Sequence, residues 1–182
     1  MRRAATPLKV AMLLRRQGAD LIAIDGSFGV GKSTLARALA SRLQTKAVHL
    51  DDFLVKRRGA YLKNLRLMQL TKCIGRRRRL ILEGICVLQA LELVGRKPDA
   101  LVYVKRMSSG QWADQDELVP SLPLEQHLSS LRKDLQVLST NSGEPPSLGL
   151  AEEVIRYHAS YAPQNHSTIE YLRLEQCLAK AQ

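Results

Sequence analysis

Residues 26–33 of this 182-residue chain read Gly-Ser-Phe-Gly-Val-Gly-Lys-Ser, a glycine-rich turn between two different kinds of segment. Before the turn, residues 21–24 form a short apolar run that is typical of a strand buried on both faces. After it, Leu35, Leu39 and Leu43 recur at helical spacing. A buried strand, a glycine turn and an amphipathic helix in this order predict the first unit of an α/β fold with a parallel sheet.

The rest of the chain continues the alternation of strands and helices. Further strands are predicted at 47–50, 79–83, 100–104 and 168–172, and helices at 7–17, 32–44, 60–74, 85–94, 124–138 and 151–161. The length suits one domain, 1–182, that begins with an N-terminal helix within residues 1–18. The helix at 124–138 carries a leucine stripe, which we interpret as core or as a dimer contact, so the oligomeric state stays open.

The glycine-rich turn matches the P-loop pattern G-x-x-x-x-G-K-[ST]. Its glycines allow successive backbone N–H groups to point at a phosphate, and the next helix adds the positive end of its dipole. We therefore predict a triphosphate site formed by Gly26, Ser27, Phe28, Gly29, Val30, Gly31, Lys32, Ser33 and Thr34. In such a site Lys32 contacts the β- and γ-phosphates of ATP, and the Ser33 hydroxyl ligates the Mg²⁺ that bridges them.

Three carboxylates follow predicted strands and are candidates for the chemistry. Asp51 and Asp52 come directly after the second strand, and the ligand crevice of an open α/β sheet lies at that end of its strands. Asp51 is predicted to be the general base for a hydroxyl acceptor, with helix capping as the alternative. Glu83 ends an apolar strand and is followed by Gly84, as expected of an acid that positions magnesium, with Asp52 as a second metal candidate.

Three segments, Ile-Asp-Gly-Ser-Phe-Gly-Val-Gly-Lys-Ser-Thr, Leu-Asp-Asp-Phe-Leu and Leu-Ile-Leu-Glu-Gly-Ile, resemble the uridine kinase-like P-loop kinases, the group of nucleoside, pantothenate and phosphoribulose kinases. The resemblance covers about residues 20–106. It implies a three-layer P-loop NTPase fold with a parallel sheet, similar to that of nucleoside-monophosphate kinases. It also implies that Asp51 is the catalytic base and that Glu83 helps to hold magnesium.

Kinases of this kind usually have an arginine-bearing lid after the fourth strand. Residues 105–120 are the candidate for it here, with Arg106 expected to neutralise charge on the transferring phosphoryl group. Trp112 is interpreted as a packing residue, with a contact to the base or acceptor as the alternative. Packing is also the favoured interpretation for three isolated polar aromatic residues, His49, His158 and Tyr161.

Charge is distributed unevenly along the chain. The net charge is +11, and residues 56–79 hold ten basic residues and no acidic one. This basic segment predicts an anionic partner, such as an anionic acceptor, a nucleic acid or an anionic membrane surface, with a solvated face as the alternative. Residues 107–155 hold eight acidic and two basic residues, and this acidic half is a candidate to dock against the basic segment.

The sequence thus predicts an ATP- and Mg²⁺-dependent kinase that phosphorylates a hydroxyl of a small molecule, nucleoside-like or pantothenate-like. The alternative is a nucleic-acid-directed P-loop protein, either a polynucleotide kinase or an ATP-gated binder.

Cys73, Cys86 and Cys177 have no metal-ligand spacing and are expected to be reduced thiols. No run is long enough to span a membrane, so we expect a cytoplasmic protein, although the acid-free, basic first 19 residues are also compatible with a transit peptide.

Overall fold

The computed structural model describes residues 1–55, 60–138 and 147–174. Its strands are β1 (Arg2–Ala4), β2 (Leu21–Asp25), β3 (Lys46–His49), β4 (Leu80–Glu83), β5 (Ala100–Ser108), β6 (Gln111–Trp112) and β7 (Ile169–Leu174). Its helices are α1 (Pro7–Gln17), α2 (Lys32–Leu43), α3 (Leu67–Gly75), α4 (Val87–Leu93), α5 (Gln115–Leu118), α6 (Leu124–Leu138), α7 (Leu150–Tyr161) and α8 (Pro163–His166). The strands form one seven-stranded sheet in the order β1-β7-β5-β2-β4-β3, with β6 antiparallel to β5 and all other pairs parallel.

Helices cover both faces of the sheet and give the predicted three layers. One face packs against α1 and α2 through a core that includes Leu14, Ile22 and Leu39. The other face packs against α3, α4 and α7 through a second core that includes Leu70 and Leu82. The central strands β2 and β4 are buried almost throughout, as their uninterrupted apolar runs indicate. The predicted α/β class and parallel sheet are therefore confirmed.

The N-terminal residues differ from the predicted arrangement. Helix α1 spans residues 7–17. The Thr6 side chain caps its start by accepting a hydrogen bond from the Lys9 N–H, and Gly18, in the left-handed conformation, caps its end. Residues 2–4 instead form the edge strand β1 beside β7, where Arg3 pairs with the buried Glu170 at 2.8 Å. A three-residue strand has too few residues to show a period, so sequence pattern could not reveal it.

The candidate lid, residues 105–120, is mostly regular structure. Strand β5 runs on to Ser108, four residues past its predicted end, and turns back into β6 before the short helix α5. The predicted helix at 60–74 is also shorter, because α3 starts only at Leu67, after a 3₁₀ turn at Leu62–Asn64. Within the leucine stripe of α6, Leu128 is buried while Leu135 is exposed.

No helix in residues 1–55, 60–138 or 147–174 is long and apolar enough to cross a membrane. Cys73 and Cys86 are free thiols, as predicted, and Cys177 lies outside the described residues. The same holds for Lys56, Arg57 and Arg58 of the basic segment and for most of the loop predicted at 139–149.

Candidate functional site

The glycine-rich turn leaves the sheet at the carboxyl end of β2 and passes very close to β5. Gly26 has a φ of 146°, and a Cβ at this position would lie 2.7 Å from the Val104 carbonyl oxygen. Any other residue would therefore be strained and would push the loop away from the sheet. The first glycine of the motif is required by this close approach, and α2 begins at Lys32, where the motif predicted it.

Lys32 is held inside the loop that precedes it. Its Nζ donates to the carbonyl oxygens of Gly26 at 3.0 Å and Ser27 at 2.6 Å, and the residue is only 8% exposed. Burial lowers the pKa of Lys32, while the negative charges of Asp25 and Glu83 oppose that shift. The loop thus encloses an ammonium group beside two carboxylates, an arrangement suited to binding a phosphate together with a metal ion.

Ser33 and Glu83 meet although they are far apart in the chain. Strands β2 and β4 are neighbours, and the Ser33 hydroxyl donates to Glu83 Oε1 at 2.7 Å. His49 is the register partner of Glu83 on β3, and its Nδ1 hydrogen bonds to the same oxygen. His49 thus contacts the predicted metal-side carboxylate, which the packing interpretation did not anticipate. The next residue, Gly84, must be glycine because a Cβ would lie 2.8 Å from the Leu50 side chain.

Asp51 lies in the 3₁₀ turn Leu50–Phe53 that follows β3. Its Oδ1 accepts a 2.7 Å hydrogen bond from the hydroxyl of Tyr61, a buried residue. Helix α7 positions Tyr61 in turn, because the Glu153 carboxylate accepts from the Tyr61 backbone N–H at 3.0 Å. Asp51 is therefore exposed but fixed in orientation. Asp52 is also exposed, and among the residues that the structure describes it has no such hydrogen bond.

These groups line one cavity of about 320 Å³ at the carboxyl edge of the sheet. Its lining is Phe28, Gly29, Lys32, Ser33, Asp51, Leu54, Tyr61, Glu83, Gly84, Ile85 and Leu150. The fold thus brings together Lys32, Ser33, Glu83 and Asp51, four of the residues singled out from sequence. Asp52 and Arg106 are not part of this lining.

Arg106 is engaged away from the cavity. Its Nη2 donates to Asp114 Oδ1 at 2.6 Å, so the candidate lid contains an internal ion pair with a buried carboxylate. Trp112 packs edge-on against Tyr103, and the Lys105 ammonium lies 4.6 Å from the centre of its ring. These contacts agree with a packing role for Trp112.

Arg173 on β7 is a site residue that sequence reasoning missed. Its Nη1 donates to the Gly29 carbonyl oxygen at 3.1 Å, and a Cβ on Gly31 would lie 2.9 Å from the same nitrogen. Arg173 is also the register partner of Arg106, so the two side chains share a face of the sheet. No local pattern marks an arginine near the end of the last strand, since its role depends on strand order.

Asp25 is a second missed residue. It is fully buried, and it accepts hydrogen bonds from the Gly26 N–H at 2.7 Å and from the Tyr157 hydroxyl. Burial raises the pKa of Asp25 to about 6, while the bond from Tyr157 limits the rise. On the same helix as Tyr157, burial lowers the pKa of His158 to about 4, so the ring is neutral and accepts from the Tyr103 hydroxyl at 2.8 Å. A charged residue at the end of a fully apolar strand was the available signal for Asp25.

We expect Asp25 to make folding stability depend on pH. Its pKa is about 6 when folded and near 3.8 when unfolded, so its stabilising contribution is complete below pH 4 and is lost as pH rises through 6. We compare the free energy of unfolding of the native protein with that of Asp25→Asn at each pH. The difference between the two proteins should shift by about 3 kcal/mol, against the native protein, as the pH rises from below the unfolded pKa of Asp25 to above its folded pKa. Urea unfolding of both proteins at several pH values measures this difference, because all other groups titrate alike in the pair. A difference independent of pH would contradict the assignment.

Comparison with known proteins supports the fold. No family model matches the chain, and no curated protein matches it. Among solved structures, a possible uridine kinase from Bacillus stearothermophilus superposes with a TM-score of 0.50 at 14% identity, covering 91% of this chain and 100% of that one. A shikimate kinase from Bacteroides thetaiotaomicron superposes with a TM-score of 0.37 at 15% identity, covering 85% and 86%. The superposition on the first of these structures confirms the predicted three-layer fold with a parallel sheet, which this chain shares with that possible uridine kinase.

Proposed function

We propose that this protein is a single-domain, ATP- and Mg²⁺-dependent kinase that transfers the γ-phosphoryl group to a hydroxyl of a small molecule, nucleoside-like or pantothenate-like. The observation that carries the proposal is the shared cavity of Lys32, Ser33, Glu83 and Asp51. A phosphate-binding loop, a metal-side carboxylate and an exposed carboxylate at one sheet edge are the parts that phosphoryl transfer to an alcohol requires.

The loop of residues 26–34 would bind the phosphates of ATP through its backbone N–H groups and the start of α2. Lys32, already desolvated, would place its ammonium against the β- and γ-phosphates, where its charge counts for more than in water. Arg173, held against the Gly29 carbonyl, would add a second positive charge on the outer side of the loop.

Ser33 and Glu83 fit a magnesium ion that keeps most of its water shell. The Ser33 hydroxyl gives its hydrogen to Glu83, which leaves its oxygen lone pairs for a cation. No cluster of three or more His, Cys, Asp or Glu ligands occurs in the described ranges, and Mg²⁺ in kinases needs none, because phosphates and water complete its shell. When bound, the ion would neutralise charge on the phosphates; His49 would keep Glu83 oriented.

Asp51 would accept the proton of the acceptor hydroxyl as the γ-phosphoryl group leaves ATP. The Tyr61 hydroxyl holds one carboxylate oxygen, Oδ1, and leaves Oδ2 for the substrate. Apolar side chains on the cavity wall, Phe28, Leu54, Ile85 and Leu150, would exclude water beside the reacting atoms. The volume of about 320 Å³ suits a small acceptor.

The decisive test is transfer of ³²P from γ-labelled ATP with Mg²⁺ to pooled nucleosides, sugars, pantothenate-like alcohols and short oligonucleotides, with water as the blank. We expect one small alcohol to be labelled, and to be labelled only when Mg²⁺ is present. Labelling of oligonucleotides alone would instead support a polynucleotide kinase, and hydrolysis without transfer to any acceptor would contradict the proposal.

Arg173 provides a separate prediction for the nucleotide side of the site. Removing its guanidinium in Arg173→Ala should raise the KM for ATP about tenfold, because a charge-assisted contact is worth about 1.5–3 kcal/mol. The KM for the acceptor should stay unchanged, since Arg173 does not line the cavity that holds Asp51. Steady-state kinetics with each substrate varied in turn make the comparison, and an equal rise in both KM values would place Arg173 in a merely structural role.

A further inference from the structure

A second charged surface lies at the amino ends of the parallel strands, opposite to the carboxyl ends where the P-loop lies. It comprises Lys46, Arg76, Arg77, Arg78, Arg79, Arg96 and Lys97, here called the basic face. These residues stand at or just before the first residues of β3, β4 and β5, whereas the P-loop follows the last residue of β2. Because the strands are parallel and rise about 3.3 Å per residue, the two sites are separated by the length of a strand, about 15 Å.

The basic face contains two open hollows. One hollow of about 300 Å³ is lined by Arg77, Arg78, Arg96 and Lys97, by the carboxylates of Asp20 and Asp99, and by apolar residues of the sheet edge. A second hollow of about 560 Å³ is lined by Lys46 and the arginines from 76 to 79. Both hollows share Arg77 and Arg78, so they form one continuous basic surface.

Few negative groups compensate this charge. In the part of the chain that the structure describes, only Arg79 of the seven cations has an ion-pair partner, Asp20 at 3.6 Å. Asp99, which also lies at this edge, accepts from the backbone N–H groups of Asp20 and Leu21. The carboxyl-terminal ends of helices α1 to α4 also lie here, but the dipole of each helix contributes only about half a negative elementary charge.

The predicted docking of the acidic half on the basic segment does not neutralise these arginines. Within the described ranges, the acidic residues of that half that form ion pairs do so with Arg106, Arg132 and Arg156. Contact between the two segments in the described ranges includes the bonds from the Tyr61 and Leu62 backbone N–H groups to the Glu153 carboxylate, near the P-loop cavity. Arg76, Arg77 and Arg78 are exposed and face solvent.

We infer that the basic face binds the phosphodiester backbone of a nucleic acid, independently of the kinase site. The phosphates of a nucleic acid can enter the smaller hollow, where guanidinium groups bind phosphate oxygens in pairs, whereas a flat membrane would reach only its rim. No aromatic residue lines either hollow in the described ranges, so the contacts would be to phosphates without base stacking. Binding should therefore be strongly salt-dependent and largely independent of nucleotide sequence.

The test is fluorescence anisotropy of the full chain with a labelled mixed-sequence oligonucleotide of about 20 nucleotides, single-stranded and duplex, over a range of salt concentrations. The variant is Arg77→Glu with Arg78→Glu. Its matched control is Lys9→Glu with Lys133→Glu, which reverses two exposed cations elsewhere and changes the net charge equally. Lys32→Ala shows whether the oligonucleotide occupies the P-loop site instead.

The double-arginine variant should lose at least about tenfold in affinity and reduce the slope of log K against log salt by between about 1 and 2, one unit or slightly less for each lost phosphate contact. The control and Lys32→Ala should bind nearly as the native protein does. Absence of native binding, equal loss in the control, or loss in Lys32→Ala would overturn the inference. So would arginine-dependent binding to phosphatidylserine vesicles without oligonucleotide binding. Kinase activity of the double-arginine variant should be retained, so failure of this inference leaves the proposed function untouched.

Discussion

Replacing Lys32 with alanine is expected to reduce kcat/KM for ATP by about 10⁴-fold. The ammonium is desolvated and held by the Gly26 and Ser27 carbonyl oxygens, so in the proposed mechanism it is already positioned before ATP binds. Losing its contact with the phosphates should weaken ATP binding about 10- to 100-fold. Losing its charge in the transition state should lower kcat by a further factor of about 10²–10³.

Isothermal titration with ATP and steady-state kinetics separate these two effects. Lys9→Ala is the matched control, because Lys9 is an exposed lysine on α1, and it should leave both quantities unchanged. Circular dichroism checks that Lys32→Ala still folds, since the two carbonyl groups lose their donor. An affinity for ATP within about threefold of the native value would exclude the proposed role of Lys32.

Replacing Asp51 with asparagine should have the second large effect, a fall in kcat of about 10³-fold with unchanged affinity for ATP. Asparagine has nearly the same shape and still accepts from the Tyr61 hydroxyl, but it cannot take up the proton of the acceptor. General-base catalysis typically contributes about 10²–10⁴-fold, so its loss should dominate the rate. ATP affinity should stay constant because Asp51 is assigned to the acceptor.

The chain contains an internal control for this experiment. Asp52→Asn makes the same chemical change one residue away, at an exposed carboxylate outside the cavity lining, and should retain nearly full kcat. Tyr61→Phe keeps the carboxylate but removes its support, and we expect about a tenfold loss in kcat from poorer orientation. If Asp52→Asn were as damaging as Asp51→Asn, or if Asp51→Asn kept full turnover, the assignment of Asp51 as base would fail.

Much of the geometry of the glycine-rich part of the candidate site could be predicted because its residues are contiguous. The turn at 26–33 needs glycines, a lysine and a serine at set spacing, and that spacing survives in the sequence regardless of the rest of the fold. The placement of Glu83 and Asp51 at this edge was also predictable, because each lies at or just after the end of a recognisable strand and the ends of parallel strands meet at one edge. Their convergence with Lys32 on one cavity agrees with this argument.

Other features depend on which strands become neighbours. Arg173 reaches Gly29 because β7 lies beside β5, which adjoins β2. His49 meets Glu83 because β3 pairs with β4 in a register that places the two residues side by side. The pairing of Arg106 with Asp114 depends on the hairpin between β5 and β6. None of these contacts follows from spacing in the sequence, because the distance in space between the two residues depends on strand order or on a turn.

By itself, the sequence determined the α/β class, the P-loop and its helix, and the carboxylates at the strand ends, since these follow from short-range periodicity and turn chemistry. Only the tertiary structure decided where the basic segment points. Its arginines at 76–79 precede β4 and so lie at the edge opposite the P-loop, while Tyr61, in the same segment, lies in the cavity beside Asp51. The physical reason is that a helix separates the two groups and runs the length of the sheet, so neighbours in sequence reach opposite edges.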